Sequence, residues 1–245
     1  MSRITLENVT IDFPVFNADS ASLKKTVFAM AGSGAVRSLD NRHVGVRALS
    51  NLSLNIRDGD RVGLIGLNGA GKSTLLRVMA GIYAPTSGKV VREGRIASLF
   101  DVAQGLDQEA SGYQNIILKG LYLGFRRREI ERRINDIVAF TELDNYLAMP
   151  VRTYSTGMAM RLALGVITCM EPEIVLMDEW IGVGDTHFLR KAKDRLQEFV
   201  GRSNIMVLAS HSEELIQETC NRGLLLNQGH KVAYGPVDDV LRQYA

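Results

Sequence analysis

Eight residues, Gly66-Leu67-Asn68-Gly69-Ala70-Gly71-Lys72-Ser73, constrain this chain more than any other feature, because they fit the pattern G-x-x-x-x-G-K-[ST] and are followed by Thr74. Ahead of them, Arg61-Val62-Gly63-Leu64-Ile65 reads as a short buried strand; behind them, Lys72 to Ala80 reads as a helix stopped by Gly81. Small residues let the backbone N–H groups of such a loop turn inward around phosphates, and the helix aims its positive N-terminus at the same anion. Lys72 then reaches the β- and γ-phosphates of a nucleotide, and the Ser73 hydroxyl joins a Mg²⁺ shell. At average residue usage the bare pattern would arise by chance in a chain of 245 residues only about 0.01 times.

A second group lies a hundred residues on, where the apolar run Ile174-Val175-Leu176-Met177 delivers Asp178 and Glu179 at the end of a strand. Helical stretches between this run, Arg61–Ile65 and Ile205–Ser210 point to a parallel sheet, whose carboxyl edge faces the ligand. Asp178 would hold Mg²⁺ through water, and Glu179 is placed to orient or deprotonate an attacking water. His211 follows the strand Ile205–Ser210, so the same edge presents it near the γ-phosphate. Tyr154-Ser155-Thr156-Gly157-Met158 opens an apolar helix over 156–170: Ser155 can cap it, and Gly157 leaves N–H groups unobstructed for an anion. A second cradle in one chain is surplus unless it serves a nucleotide held by a twin subunit. That implies a head-to-tail homodimer with two ATP molecules sandwiched between subunits.

The rest of the chain sets limits. Residues 3–13 read as strand ended by Pro14, and strand resumes from Val46 to Ile56. Between them, residues 14–45 form a Ser-, Ala- and Gly-containing insertion, either a mobile loop with a short helix or a docking element. Its Leu23, Val27, Phe28 and Met30, beside Lys24 and Lys25, fit a short amphipathic element. Residues 95–102 read as strand, and 126–140 as one helix with the apolar stripe Ile130, Ile134, Ile137 and Val138. Its arginines 126–128 and 132–133 read as a solvated face, with Glu129 and Arg133 an i,i+4 pair. Gly223–Asn227 and Lys231–Tyr234 flank Gln228-Gly229-His230 as a hairpin, and a last helix starts at Pro236. With 46% hydrophobic residues the chain can bury a core, and 29 basic against 27 acidic residues give no nucleic-acid signal. Cys169 and Cys220 have no metal-ligand spacing, which fits a reduced compartment. No run reaches the roughly 18 apolar residues of a membrane span, so at a membrane another chain must supply it.

The order of these motifs resembles the nucleotide-binding subunit of ATP-binding-cassette (ABC) transporters, over essentially the whole chain. The resemblance implies an α/β fold, a P-loop NTPase core of ABC type with an antiparallel β subdomain and a helical signature subdomain at about 106–160. By that likeness Gly66 to Thr74 is the Walker A motif, Ser155 to Met158 the signature, Asp178 and Glu179 the Walker B pair, Asp185 the D-loop aspartate and His211 the switch histidine. The common signature L-S-G-G-Q is here Y-S-T-G-M, a form similar to the subfamily exporting bacterial surface polysaccharides such as O-antigen, galactan or teichoic acid. The long insertion, the segment Ser111-Gly112-Tyr113-Gln114-Asn115-Ile116 and Gly182-Val183-Gly184-Asp185 agree with that subfamily. The switch glutamine is not matched cleanly: Asp101 stands near its place, with Gln104 close by. Phe13 or Phe16 could stack on adenine, either being equally fit for the core, and Trp180 reads as a packing residue at the subunit seam.

What the resemblance implies is an ATPase, using ATP and Mg²⁺, that drives an integral membrane permease exporting a lipid-linked polysaccharide from the cytoplasmic face of the bacterial inner membrane. Some O-antigen exporters of the family continue into a carbohydrate-binding domain, and a chain ending at Ala245 is expected to recognise its cargo otherwise. The alternative is a soluble switch of the same fold acting on ribosome or DNA. Such switches usually carry two cassettes or a long coiled-coil insertion, and neither is present. A guanine-nucleotide switch would need N-K-x-D, and no Asn-Lys pair occurs.

Overall fold

The computed structural model describes residues 1–15, 36–40, 43–100, 102–179 and 186–244. In chain order its first elements are β1 (Arg3–Val15), β2 (Val36–Asp40), β3 (His43–Arg57), β4 (Arg61–Ile65), α1 (Lys72–Ala80), β5 (Ser87–Glu93) and β6 (Ile96–Ser98). Then come α2 (Gly112–Tyr122), α3 (Arg127–Glu131), α4 (Ile134–Thr141), two 3-10 turns (Asp144–Ala148, Val151–Thr153), α5 (Thr156–Cys169) and β7 (Ile174–Asp178). The chain closes with α6 (Thr186–Arg202), β8 (Ile205–Ala209), α7 (Glu213–Thr219), β9 (Arg222–Asn227), β10 (His230–Pro236) and α8 (Val237–Tyr244). Two compact units result, Met1–Glu93 with Val207–Ala245, and Gly94–Met206.

In the first unit, an antiparallel sheet has the order β2-β3-β1-β5. Its inner residues explain its irregularity. In β1 the buried residues switch parity, from Ile4 and Leu6 to Val9 and Ile11, and in β3 from Leu49 to Leu52, Leu54 and Ile56. A strictly regular strand would put half of each set in water. The register shifts at both places, with Asn8 at φ 50° and Asn51 at φ 47°, and Val9 opposite Leu52. The exposed backbone there is tied by Asn8 N–H to Ser53 Oγ and Asn51 N–H to Thr10 Oγ1. The neighbouring sheet places β10-β9-β4-β8 side by side, with β4 and β9 parallel. The β9–β10 hairpin turns at Gln228 and Gly229, both at positive φ, as a two-residue hairpin loop requires.

Two expectations for this unit change. The first strand does not end at Pro14: β1 runs to Val15, with Pro14 opposite Gly45. β5 pairs with β1 only as far as Thr10, so Pro14 lies where one edge of β1 has no ladder partner and a missing N–H costs nothing. Sheet also enters the expected insertion from its far side, since β2 occupies 36–40 and β3 begins at His43. The expected amphipathic element, with Leu23 to Met30, lies outside the described residues.

In the second unit β6 and β7 run parallel. Strand is shorter than the expected 95–102, the pairing ending with Leu99 N–H on Leu176 O at 2.8 Å. The expected single helix over 126–140 is two, α3 and α4, broken at Arg132 and Arg133. Each half docks on a different glycine: Ile130 covers Gly120 of α2, where a Cβ would stand 2.6 Å from its side chain, and Ile137 covers Gly165 of α5. The expected Glu129–Arg133 pair is replaced: Glu129 accepts the Arg126 N–H and meets Arg95 at 3.5 Å, while Arg133 meets Glu171 at 2.8 Å. α6 is held to its neighbours by Arg195, which donates to Asp136 of α4 and to Cys169 Sγ at the end of α5.

Candidate functional site

The phosphate loop leaves β4 at Gly66, whose φ is 144° and whose Cβ, if present, would stand 2.3 Å from the Leu226 carbonyl oxygen of β9. Only glycine fits that approach. Gly71, at φ 107°, is pressed against Ala48 O of β3, where a Cβ would stand at 2.8 Å. Gly229 of the β9–β10 turn completes the brace, its N–H donating to Ala70 O and its carbonyl accepting from Ser50 N–H, both at 2.9 Å. The loop is thus backed by β3, β9 and a hairpin turn, while Leu67, Asn68 and Gly69 face solvent.

α1 starts at Lys72 with Gly71 as its N-cap and no side-chain cap, so its leading N–H groups and the positive end of its dipole are offered to a ligand. Lys72 is buried, its ammonium donating to Gly66 O at 2.6 Å and Leu67 O at 3.2 Å, which keeps the charge at the loop. Ser73 and Thr74 are half-buried beside it. At the far end of α1, Arg92 donates to Val78 O and Met79 O, a cation on the negative end. A cradle of backbone donors pressed from behind, with a lysine and a hydroxyl at its rim, fits a triphosphate and its Mg²⁺. His211 lies in the same unit, exposed in the turn from β8 to α7. The backbone there is pinned by Ser212 N–H on Ser210 Oγ and Leu215 N–H on Ser212 Oγ, both at 3.1 Å.

In the second unit, β7 has Ile174 to Met177 wholly buried and ends on half-buried Asp178. Glu179 follows, exposed, at φ 67°. A left-handed conformation costs a non-glycine residue roughly 1 kcal/mol or more, and such strain collects where function dictates a side chain's aim. The start of α5 is built with equal care. Ser155 is its N-cap, accepting the Met158 N–H at 3.2 Å. Tyr154 donates its hydroxyl to Tyr146 O at 2.7 Å and fills the space over Gly112, and burial pushes its phenol pKa up, so it stays a donor. Gly157 differs from the loop glycines: a Cβ there would meet only Ser155 Oγ, at 3.8 Å. Among the described residues nothing demands a glycine at that point.

Each unit therefore holds its own part of the expected set, Gly66 to Thr74 with His211 in one, Ser155 to Met158 with Asp178 and Glu179 in the other. Asp185, Asp101, Phe16 and Trp180 lie outside the described residues. Phe13 is partly exposed and packs edge-on against Tyr83, centroids 5.3 Å apart. Gln104 is exposed, and its carbonyl accepts from Lys119, a buried lysine of α2 that the sequence reading passed over. Its signal was present: one lysine inside Ile116-Ile117-Leu118-Lys119-Gly120-Leu121. Asn115, also of α2 and fully buried, donates to the carbonyls of Asp107, Ala110 and Ser111 and accepts the Asp107 N–H.

A braced phosphate loop between strand and helix defines a P-loop nucleotide-binding fold. This chain belongs to the ABC transporter family, whose model matches residues 49–182. It is 45% identical to the O-antigen export system ATP-binding protein RfbE of Yersinia enterocolitica, over 94% of this chain and 96% of that protein. It is 33% identical to the O-antigen export protein RfbB of Klebsiella pneumoniae over 98% and 96%. The teichoic acids export protein TagH of Lactococcus lactis is 36% identical over 99% of this chain, which spans 50% of that longer protein. Among solved structures, the ATP-binding subunit of an ABC transporter shares the fold, with a TM-score of 0.69 at 21% identity over 98% of this chain and 92% of that one. So does a dimeric ATP-binding cassette in a post-hydrolysis state with ADP and Pi, with a TM-score of 0.64 at 19% identity over 96% and 98%.

Proposed function

We propose that this chain is the ATP-hydrolysing subunit of an exporter, driving a separate membrane permease that moves a lipid-linked surface polysaccharide out across the cytoplasmic membrane. The observation that carries the reading is the 45% identity running through 94% of the chain to an O-antigen export protein, with the braced loop at its centre. Two copies close head to tail at the cytoplasmic face of the inner membrane. In each, the N–H groups of Gly66 to Thr74 hold the phosphates of ATP, and Lys72 balances their charge. Ser73 and Asp178 hold Mg²⁺, which would neutralise charge building on the phosphate oxygens. Glu179 orients the attacking water and draws its proton, and His211 contacts the γ-phosphate side. Ser155, Thr156, Gly157 and Met158 reach the nucleotide of the partner subunit, as does Asp185. The insertion within 14–45 meets the permease at the cytoplasmic face.

Glu179→Gln is expected to bind ATP, hydrolyse it slowly and accumulate as a dimer, and Lys72→Ala to lose binding. Wild-type turnover in Glu179→Gln removes that residue from its role. Mixing Gly157→Asp with Lys72→Ala subunits puts both defects in one composite site and none in the other, so some hydrolysis returns; none, with mixed dimers demonstrated, refutes the shared site. Depleting the protein leaves a lipid-linked glycan inside and none at the surface, and a normal surface overturns the export reading.

A further inference from the structure

Five arginines and two glutamates fill residues 126–133, a net of +3 where the whole chain carries only +2. Both acids are already engaged. Glu131 pairs with Arg127 at 2.8 Å, and Glu129 accepts the Arg126 N–H and meets Arg95. Arg133 is met by Glu171. Arg128 and Arg132 are exposed, four residues apart, on the side of α3 opposite buried Ile130, and neither has an acidic partner among the described residues. We propose that this outward face of α3 is a docking surface for the anionic phospholipid headgroups of the membrane in which the permease sits.

The form of the surface selects a bilayer over an acidic peptide. The open recess beside it is lined by Arg95, Arg126, Glu129 and Glu173, so its positive charge is largely met by glutamate. The unmet charge projects from a helix surface, which suits a flat, laterally mobile array of phosphates, each arginine engaging one headgroup. Just before the turn into this segment, Leu121 is 46% and Tyr122 67% exposed at the end of α2, the side-chain types that settle at headgroup depth. The inference rests on the exporter reading only for placing the chain near a membrane.

The test is flotation of the full chain with phosphatidylcholine vesicles, with and without about one quarter phosphatidylglycerol, at salt of about 50 mM and about 500 mM. The wild type is expected to float with the anionic vesicles at low salt only. Replacing Arg128 and Arg132 together by Gln lowers the partition coefficient about 30-fold, the effect of two charges near an anionic surface, while the double Lys version retains binding. A control with Lys89 and Lys193 changed to Gln carries the same charge loss elsewhere and keeps most of the binding. Equal flotation with both vesicles, flotation with neither, or equal losses in the double Gln variant and the control overturn the proposal. So does undiminished vesicle binding by a double Gln variant that no longer binds the permease, which assigns the surface to a protein. ATP hydrolysis is measured alongside: a wild type that floats but never hydrolyses ATP refutes the functional reading and leaves the lipid surface standing.

Discussion

Replacing Lys119 by Met tests the most unusual buried group in the second unit. The lysine is 3% exposed, its ammonium donates to Val102 O at 2.9 Å and to Gln104 O, and the Tyr122 ring lies 5.7 Å away. No carboxylate pairs with it among the described residues, and burial lowers its pKa from 10.5 to about 8. The substitution removes a buried charge and two hydrogen bonds at once, effects of opposite sign, so a stability difference at a single pH mixes them. Its change with pH isolates the charge. Below about pH 8 the lysine is protonated folded and unfolded, and the full desolvation cost is present. Between about pH 8 and 10.5 the unfolded chain binds more protons than the folded one, so wild-type stability rises relative to Lys119→Met. At about 1.4 kcal/mol per pH unit the gain approaches about 3 kcal/mol. Urea unfolding of both proteins at steps from pH 7 to 10 reads the difference directly, other titrations cancelling between them. A difference constant across that range within about 0.5 kcal/mol refutes the reasoning.

Gly66→Ala sets a Cβ 2.3 Å from Leu226 O and is expected to cost about 2–4 kcal/mol in thermal unfolding and to abolish ATP binding, whereas an unchanged melt refutes the brace. Arg92→Met uncovers Val78 O and Met79 O at the end of α1 and should cost about 1–2 kcal/mol in urea unfolding. Ile130→Ala opens a cavity over Gly120 and should cost about 2–5 kcal/mol by the same measurement. Gly157→Ala should leave the melt unchanged or raised, by up to about 1 kcal/mol, while lowering ATP hydrolysis; full activity would show that the glycine serves nothing outside the chain.

What could be read from residue order alone was whatever is decided within one strand, turn or helix. The phosphate loop, the strand ending at Asp178 and the Ser155 cap are local events, and each stands where its pattern put it. Events decided by distant neighbours were not legible. Gly66 is a glycine because of Leu226, 160 positions away. The break at Arg132–Arg133 separates Ile130, against Gly120 of α2, from Ile137, against Gly165 of α5, partners that no periodicity names. The bulges at Asn8 and Asn51 lie between: the parity switch from Leu6 to Val9 is written in the sequence, but becomes a bulge only once β3 makes the same switch opposite it. The left-handed backbone of Glu179 has no sequence signature, since glutamate rarely adopts it.

The two anion-ready helix starts sharpen the same point. At α1, Gly66 and Gly71 are demanded by backbone atoms of the same chain, so their presence is explained before any ligand is considered. At α5 the cap, the Tyr154 anchor and the buried run from Leu162 to Cys169 account for the helix, and among the described residues only Ser155 Oγ would meet a Cβ at Gly157, at 3.8 Å. A glycine in the first turn of a helix gives up stability that alanine would supply. Under the proposed shared site, a glycine here leaves the N-terminus of α5, with Ser155 and Thr156 exposed, open to the nucleotide of a partner subunit. That is why Gly157→Ala is expected to lower hydrolysis without lowering the melt, where a glycine kept for packing would do the reverse.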